Sequence, residues 1–403
     1  MTAHTDSPAS QLLHQLDEFV TDRVIPAEDL YHRQVVETGD HHATPPIMEA
    51  LKQEARTLGL WNLFLRDHEA GAGLTNAEYA PLAEVMGRSP LTAQATNCNA
   101  PDTGNMELLA TYGTSEQQER WLTPLLDGSI RSCFAMTEPD AAGSDPTNIR
   151  ATIRSEDDSY ILHGRKWWVT GAASPDCEIC IFIGISDPDE EPHDRYSLVL
   201  IPLDTPGLIV RRSLSIFGYD EGLGHAEMEF KDVKVPTSNL LGNRGDGFRL
   251  AQARLGPGRV HHAMRAIGLA ERALQLMCQR AQSRSAFGHL LADHGSVRDL
   301  IAESRIEIEQ ARALVLHCAR MMDEHGARAA RNEISMIKVA CARVATDVVD
   351  RAIEVHGAAG LSADFPLAWM YAEARTLHFV DGPDAVHRMI IARRELRSSG
   401  SPG

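Results

Sequence analysis

The sequence predicts an α+β chain in three parts: an N-terminal helical domain (1–130), a middle antiparallel β domain (131–242) and a C-terminal four-helix bundle (243–403). Three observations carry that reading. Apolar residues recur every three or four positions in the outer parts, and alternate in the middle one. Turn signals such as His163-Gly164 and the Asp187–Pro192 stretch separate the alternating runs. A chain of 403 residues with 43% hydrophobic content buries a large core, better divided among two or three lobes than gathered in one.

The elements follow in order. SPASQLLHQLDEFVTDRV opens on Ser7-Pro8, and TPPIMEALKQEARTLGLW carries prolines in its first turn, both helix starts. In SEQQERWLTPLL, Ser115 reads as the N-cap with Gln118 closing a capping box. From Arg131 to Leu241 the runs SYILHGRKWWVT, CEICIFIGI, YSLVLIPL, GLIVRRSL and HAEMEFKDVKV alternate as strands do, with His163-Gly164 as a hairpin bend. After Gly247 come FRLAQARL, RVHHAMRAIGLAERALQLMCQRAQ, SVRDLIAESRIEIEQARALVLHCARMMDEH, RNEISMIKVACARVATDVVDRAIEVHG and DAVHRMIIARREL. These amphipathic, alanine-rich segments have the composition of a bundle, and the SSGSPG tail is expected to fray.

Charge and cysteines narrow the function. A formal charge of −17 without a basic stripe excludes nucleic acid as a partner, though local arginines remain able to hold a phosphate. No segment reaches a membrane span, and the first twenty residues lack a secretory pattern, so a cytoplasmic protein is expected. Seven cysteines at irregular spacing form no disulfide framework, in keeping with a reducing compartment. Cys177 and Cys180 form a C-x-x-C on a strand, where residues three apart face opposite sides. No second pair completes a zinc site, and no metal is expected.

Three separated stretches carry chemistry together. FAMTEPDAAGSD (Phe134–Asp145) and GRKWWVTG (Gly164–Gly171) are rich in hydroxyl and indole groups suited to a flat, polar, aromatic ring. HFVDGPDAVH (His378–His387) places a carboxylate, Asp381, on a Gly-Pro break at a helix start. Asp140 and Ser144 also suit a tight turn, one of the two neighbouring tryptophans suits core packing, and Asp384 suits a helix N-cap. His261, His262 and His387 read as polar helix-face residues, and Arg259 calls for an acidic or phosphate partner.

With these motifs in this order, the chain resembles the acyl-CoA dehydrogenases. It is most similar to the subfamily with DGPD (here Asp381–Asp384) where most members have a tyrosine-glutamate-glycine-threonine run, the dehydrogenase part of proteins that also carry a kinase-like domain. That domain is absent from this sequence, so a stand-alone dehydrogenase is expected. The resemblance implies FAD as cofactor, an acyl-CoA substrate converted to a trans-2-enoyl-CoA as in fatty acid β-oxidation, an electron-transfer flavoprotein as partner, and a homodimer or homotetramer. It implies that Thr137 bonds the pyrimidine side of the ring, that Phe134 and Met136 cover its edges, and that Ser144 meets the phosphate or ribityl chain. Trp168 would stack on the ring, with Thr170 donating to its reactive nitrogen. Arg284 and Phe287, three apart on one helix face, would serve a neighbouring subunit's cofactor, together with Leu291 and His294. Glu354 and Ala358 in EVHGAAG would lie against the adenosine, with Pro383 and Ala385 as further cofactor contacts. Ser144, Arg259 and Gly382 would meet the substrate.

Asp381 would be the base, one methylene shorter than the usual glutamate, its pKa raised by burial beside a neutral thioester. Some relatives place the base on an earlier helix; the matching LGPGR (Leu255–Arg259) has glycine there. Two alternatives stay open: a flavin oxidase of a small carbon acid without CoA, and a non-catalytic helical assembly protein.

Overall fold

The computed structural model describes residues 7–220, 222–398 and 400, with the side chains of 255–257 and 398 outside the description. Most of the SSGSPG tail and three side chains of LGPGR therefore lie outside the described residues. Helices α1 (Pro8–Phe19), α2 (Ile25–Thr38), α3 (Pro46–Thr57), α4 (Asn76–Met86), α5 (Thr92–Ala95), α6 (Asp102–Tyr112), α7 (Ser115–Gln117) and α8 (Thr123–Leu126) come first. Strands β1 (Arg131–Ala135), β2 (Thr152–Glu156), β3 (Ser159–Thr170), β4 (Cys177–Ile185), β5 (Tyr196–Pro202), β6 (Leu208–Ser213), β7 (His225–Pro236) and β8 (Leu240–Leu241) follow. The chain then returns to helix in α9 (Gly247–Ser283), α10 (Gly295–His325), α11 (Arg331–His356), α12 (Leu367–Thr376) and α13 (Asp384–Ser398).

Helix starts follow the residues that mark them. Ser7 caps α1 by accepting from the Ser10 amide, and Pro45 and Pro46 open α3. At α7 the cap is Thr114, one residue earlier than the expected Ser115, and Gln117 rather than Gln118 closes the box. Thr114 wins because its extended backbone points its hydroxyl back at the third amide. FRLAQARL and RVHHAMRAIGLAERALQLMCQRAQ, expected as separate segments, form the one helix α9.

The chain divides into two compact units, one holding Ala27–Gly73 and Gln94–Gly258, the other the described residues up to Pro26, Leu74–Ala93 and those from Arg259 onward. The first contains the eight-stranded sheet, ordered β6-β7-β3-β2-β4-β5-β8, with β1 beside β4. Most pairings are antiparallel as expected, but β1 runs parallel to β4 and β2 meets β4 in parallel at one position. Long connections make that direction available. One face of the sheet builds a core from residues including Leu162, Val169, Phe182, Met228 and Phe230.

Two irregularities correct the sequence reading. His163-Gly164 is no hairpin bend: β3 runs straight through it, with a register shift at Gly164. The reason is room, since a Cβ on Gly164 would sit 2.6 Å from the Ala151 Cβ. Gly164→Val is expected to cost about 1–3 kcal/mol by overpacking, read as a lower denaturant midpoint at unchanged slope. Cys177 and Cys180 do not face opposite sides either. A register shift skips Glu178, so both join one core face, where the Cys133 thiol contacts both. Burial pushes the Cys133 thiol well up, so the group is an inert apolar cluster.

In the second unit, α4 and α9 cross at glycines. A Cβ on Gly87 would fall 2.1 Å from the Arg265 carbonyl oxygen, and one on Gly268 would fall 1.8 Å from that of Glu84. α11 packs against α10, α12 and α13.

Candidate active site

In the first unit, the segment after β1 leaves the sheet and returns at β2. Its anchor is Glu138, which sequence reasoning missed. The buried carboxylate accepts from the amides of Arg150 (2.8 Å) and Ala151 (2.9 Å) and from Lys166 Nζ (2.9 Å). Lys166, wholly buried on β3, also donates to the Met136 carbonyl at 2.9 Å. Burial pushes the Lys166 ammonium down to about 8, against the opposing pull of Glu138. Lysine at an inward strand position was the available signal, because a buried cation requires an anion.

Asp140 and Ser144 both lie in turns as expected, Ser144 in the one closed by the Asp145 amide donating to the Ala142 carbonyl (3.1 Å), and Asp145 opens the next. Asp145 Oδ1 accepts from the Thr147 amide (3.0 Å) and hydroxyl (2.6 Å), bonds that hold its carboxyl below the usual range. Ser144 is exposed, and Asp140 lies 3.7 Å from Arg165. Met136, Thr137, Ala142, Gly143 and Pro146 help line a small depression. The Thr137 carbonyl accepts from the Trp167 amide at 2.9 Å, which ties the segment to β3.

There β3 bulges. Trp168 has φ 53°, and the register slips between Lys166 and Val169, so those two point inward. Neither tryptophan is core, contrary to the alternation rule: Trp167 is half-buried and Trp168 is 44% exposed. The Trp168 ring lies 5.6 Å from that of His225, whose Nδ1 shares a 2.9 Å hydrogen bond with the Thr170 hydroxyl. Burial lowers the His225 pKa, so its ring is neutral at neutral pH. Phe134 is half-buried beneath the Arg254 guanidinium, 4.5 Å from the ring centroid. The exposed Trp168 indole face, with the Thr170 hydroxyl two residues on, leaves room for a flat, polar, aromatic ring.

In the second unit, Asp381 occupies the turn before α13 with φ 54°, followed by Gly382 at φ 99°. Its main-chain carbonyl accepts from Arg259 Nε (3.0 Å) and faces His387 Nε2 (3.3 Å), while His387 Nδ1 meets the Ser335 hydroxyl (3.2 Å). The expected partner of Arg259 is thus a carbonyl oxygen, with the Asp381 charge opposing the burial that lowers the guanidinium. The Asp381 carboxylate is 16% exposed, with His262 Nε2 3.6 Å from Oδ2. Asp384 is the first residue of α13, and its Oδ2 pairs with His378 Nδ1 at 2.7 Å. Pro383 is half-buried and Ala385 exposed.

Of the three histidines, only His262, half-buried on α9, is a polar helix-face residue as expected. His387 is buried, and burial with Arg259 nearby pushes it down to about 4. His261 is buried with its ring 4.8 Å from Tyr79, and burial pushes it to about 3. Tandem histidines on a helix point about 100° apart, which separates His261 in the core from His262 beside Asp381.

Arg284 and Phe287 do not share a helix face. α9 ends at Ser283, and Ser285–Ala286 pairs with His289–Leu290 in a hairpin turning at Phe287-Gly288, both at positive φ. Phe287 is 95% exposed at the tip, and Arg284 is exposed at the base, its carbonyl accepting from the Leu291 amide at 2.8 Å. His294 Nε2 meets the Ala286 carbonyl at 3.2 Å. Glu354 in the last turn of α11 and Ala358 beyond it are both exposed.

Among the described residues no group of three or more His, Cys, Asp or Glu could hold a metal ion, and no helix is long and apolar enough to cross a membrane.

Comparison with known proteins adds the following. Models for the N-terminal, middle and C-terminal domains of acyl-CoA dehydrogenases match residues 8–129, 133–233 and 245–396. Acyl-CoA dehydrogenase family member 10 of Mus musculus is 50% identical over 97% of this chain, which spans only 37% of that protein. FadE2 of Mycobacterium tuberculosis, named a probable acyl-CoA dehydrogenase, is 52% identical over 95% of this chain and 94% of its own. A solved structure from Mycobacterium abscessus is 48% identical with a TM-score of 0.94, covering 98% of this chain and 99% of the other.

Proposed function

Because this chain belongs to the acyl-CoA dehydrogenase family, we propose that it is an FAD-dependent acyl-CoA dehydrogenase of three parts (1–130, 131–242 and 243–403) that forms a trans-2-enoyl-CoA. Bound to the protein, FAD would supply the two-electron acceptor for the hydride leaving the β-carbon. Asp381 takes the α-proton. Trp168 offers its indole face to the ring, Thr137 and Thr170 bond its polar edge, and Phe134, Met136 and Ser144 complete that side. The hairpin residues Arg284 and Phe287, with Leu291 and His294, serve the cofactor of a second copy in a homodimer or homotetramer. Glu354, Ala358, Pro383 and Ala385 are further cofactor contacts, while Arg259, Ser144 and Gly382 meet the thioester. The electron acceptor is an electron-transfer flavoprotein.

The observation that supports this reading best is the setting of Asp381. Its main chain is held by Arg259 and His387, while its carboxylate keeps partial access. A base needs that combination of fixed origin and reachable oxygen. Anaerobic titration of the purified protein with a panel of acyl-CoA thioesters is the test. Bleaching of the visible flavin absorbance by a member of the panel is expected. A colourless protein that FAD does not restore, or a yellow one that no thioester bleaches, overturns the proposal.

Trp168→Ala gives a separate check. Loss of an aromatic contact worth about 0.5–1.5 kcal/mol is expected to weaken FAD binding roughly 3- to 10-fold, measured by fluorescence on reconstitution.

A further inference from the structure

The first contact made by the Asp381 carboxylate, as distinct from its main chain, comes from a neighbouring histidine. We propose that His262 is the positioning residue for Asp381, orienting its carboxylate from α9 so that Oδ2 is engaged and Oδ1 is left to the substrate. The inference rests on Asp381 being the base.

The titratable and charged groups near Asp381 and its neighbours divide by element. Arg259 and His262 on α9, Lys338 on α11 and His387 on α13 interact with Asp381 itself; Arg331 on α11 acts on Arg259, Asp384 on α13 acts on Lys338, His261 and Arg265 on α9 act on the His262 side, and Glu373 on α12 interacts with Arg265. Arg259 and His387 are directed to the Asp381 carbonyl, not its carboxylate. Lys338 donates to the Leu377 carbonyl and lies 3.8 Å from Asp384 Oδ1. His261 is turned to Tyr79. The polar side-chain atom that does face the carboxylate is His262 Nε2, 3.6 Å from Oδ2, a contact longer than a hydrogen bond.

The other edge of the His262 ring settles its orientation. Arg265 NH2 lies 3.5 Å from Nδ1, and a guanidinium only donates, so Nδ1 accepts and the ring proton of neutral His262 sits on Nε2. That N–H faces Asp381 Oδ2. Arg265 in turn feels Glu373 on α12, whose carboxyl is pushed up by burial and pulled down by Arg265. Arg265 thus restrains the His262 ring, which presents Nε2 toward Asp381. A base oriented by a third group through a ring N–H is an arrangement that fixes tautomer and direction together.

The test compares His262→Phe, which keeps ring volume without a donor, with His262→Gln, whose amide restores one. Loss of a weak polar contact to the carboxylate predicts kcat down roughly 2- to 10-fold in His262→Phe. KM is expected to change less than about twofold. In His262→Gln most of the rate is expected to be retained. His262→Leu substitutes if the phenylalanine variant does not fold. A donorless variant with wild-type kcat overturns the inference. So does equal impairment of the donorless and glutamine variants, which is the mark of packing alone. Asp381→Asn separates the two ideas: full activity there removes the base itself, whereas an inactive Asp381→Asn beside a wild-type donorless variant removes only the role of His262.

Discussion

Asp381→Asn is expected to slow bleaching by an acyl-CoA thioester by roughly 10²- to 10⁴-fold, the usual contribution of a positioned general base. Asparagine is the informative replacement because of the backbone. Asp381 sits at φ 54°, a left-handed conformation that asparagine and aspartate tolerate better than other side-chain-bearing residues. Asparagine therefore keeps the turn, leaves the carbonyl available to Arg259 and His387, and removes only the proton acceptor. Asp381→Glu is a weaker test, since glutamate carries a left-handed penalty of about 1–2 kcal/mol besides its extra methylene. Stopped-flow absorbance of the anaerobic, FAD-loaded protein is the measurement. An asparagine variant bleached at the wild-type rate would falsify the assignment of Asp381 as the base.

The largest expected effect on stability comes from Glu138→Ala. That change strands the wholly buried Lys166 ammonium and leaves the Arg150 and Ala151 amides without their acceptor. Breaking a buried pair from one side costs about 3–5 kcal/mol, read from the denaturant midpoint. Replacing both partners, Glu138→Gln with Lys166→Met, should recover most of that loss, because no charge is then left alone. The lysine also sets a pH signature. Its folded pKa of about 8 lies below the ordinary 10.5, so between those values the unfolded chain holds a proton that the folded one has released. Stability relative to Lys166→Met should therefore rise as pH climbs through that window and stay level below it. A difference that shrinks instead would show that the ammonium gains more from Glu138 than burial takes away.

Much of the architecture was legible because periodicity reports which face is buried. Helix starts at Ser7-Pro8 and Pro45-Pro46 and the run of alternating strands needed only local rules. What alternation cannot see is a skipped residue. Trp168 and Cys180 were both placed by counting in twos, and in both cases a bulge upstream reset the count. The turn at Arg284–Leu290 was lost for a related reason: SRSAFGHLL keeps helical composition, and only the left-handed pair Phe287-Gly288 forces the chain back. Asp381 stood out in the sequence because the Gly-Pro break announces a helix start, and its role as base came from the resemblance. The Glu138–Lys166 pair and the approach of His262 to Asp381 did not stand out, since the partners lie 28 and 119 residues away, a distance no window spans.

Gly87 and Gly268 bring α4 and α9 together with main chain against main chain. Spacing between those rods is thereby set by hydrogen atoms, which offer no rotamer to adjust. Neighbouring apolar residues can be exchanged over evolutionary time without shifting the rod that carries Arg265 and His262. A single methyl at either crossing has no such latitude, and would move both side chains at once.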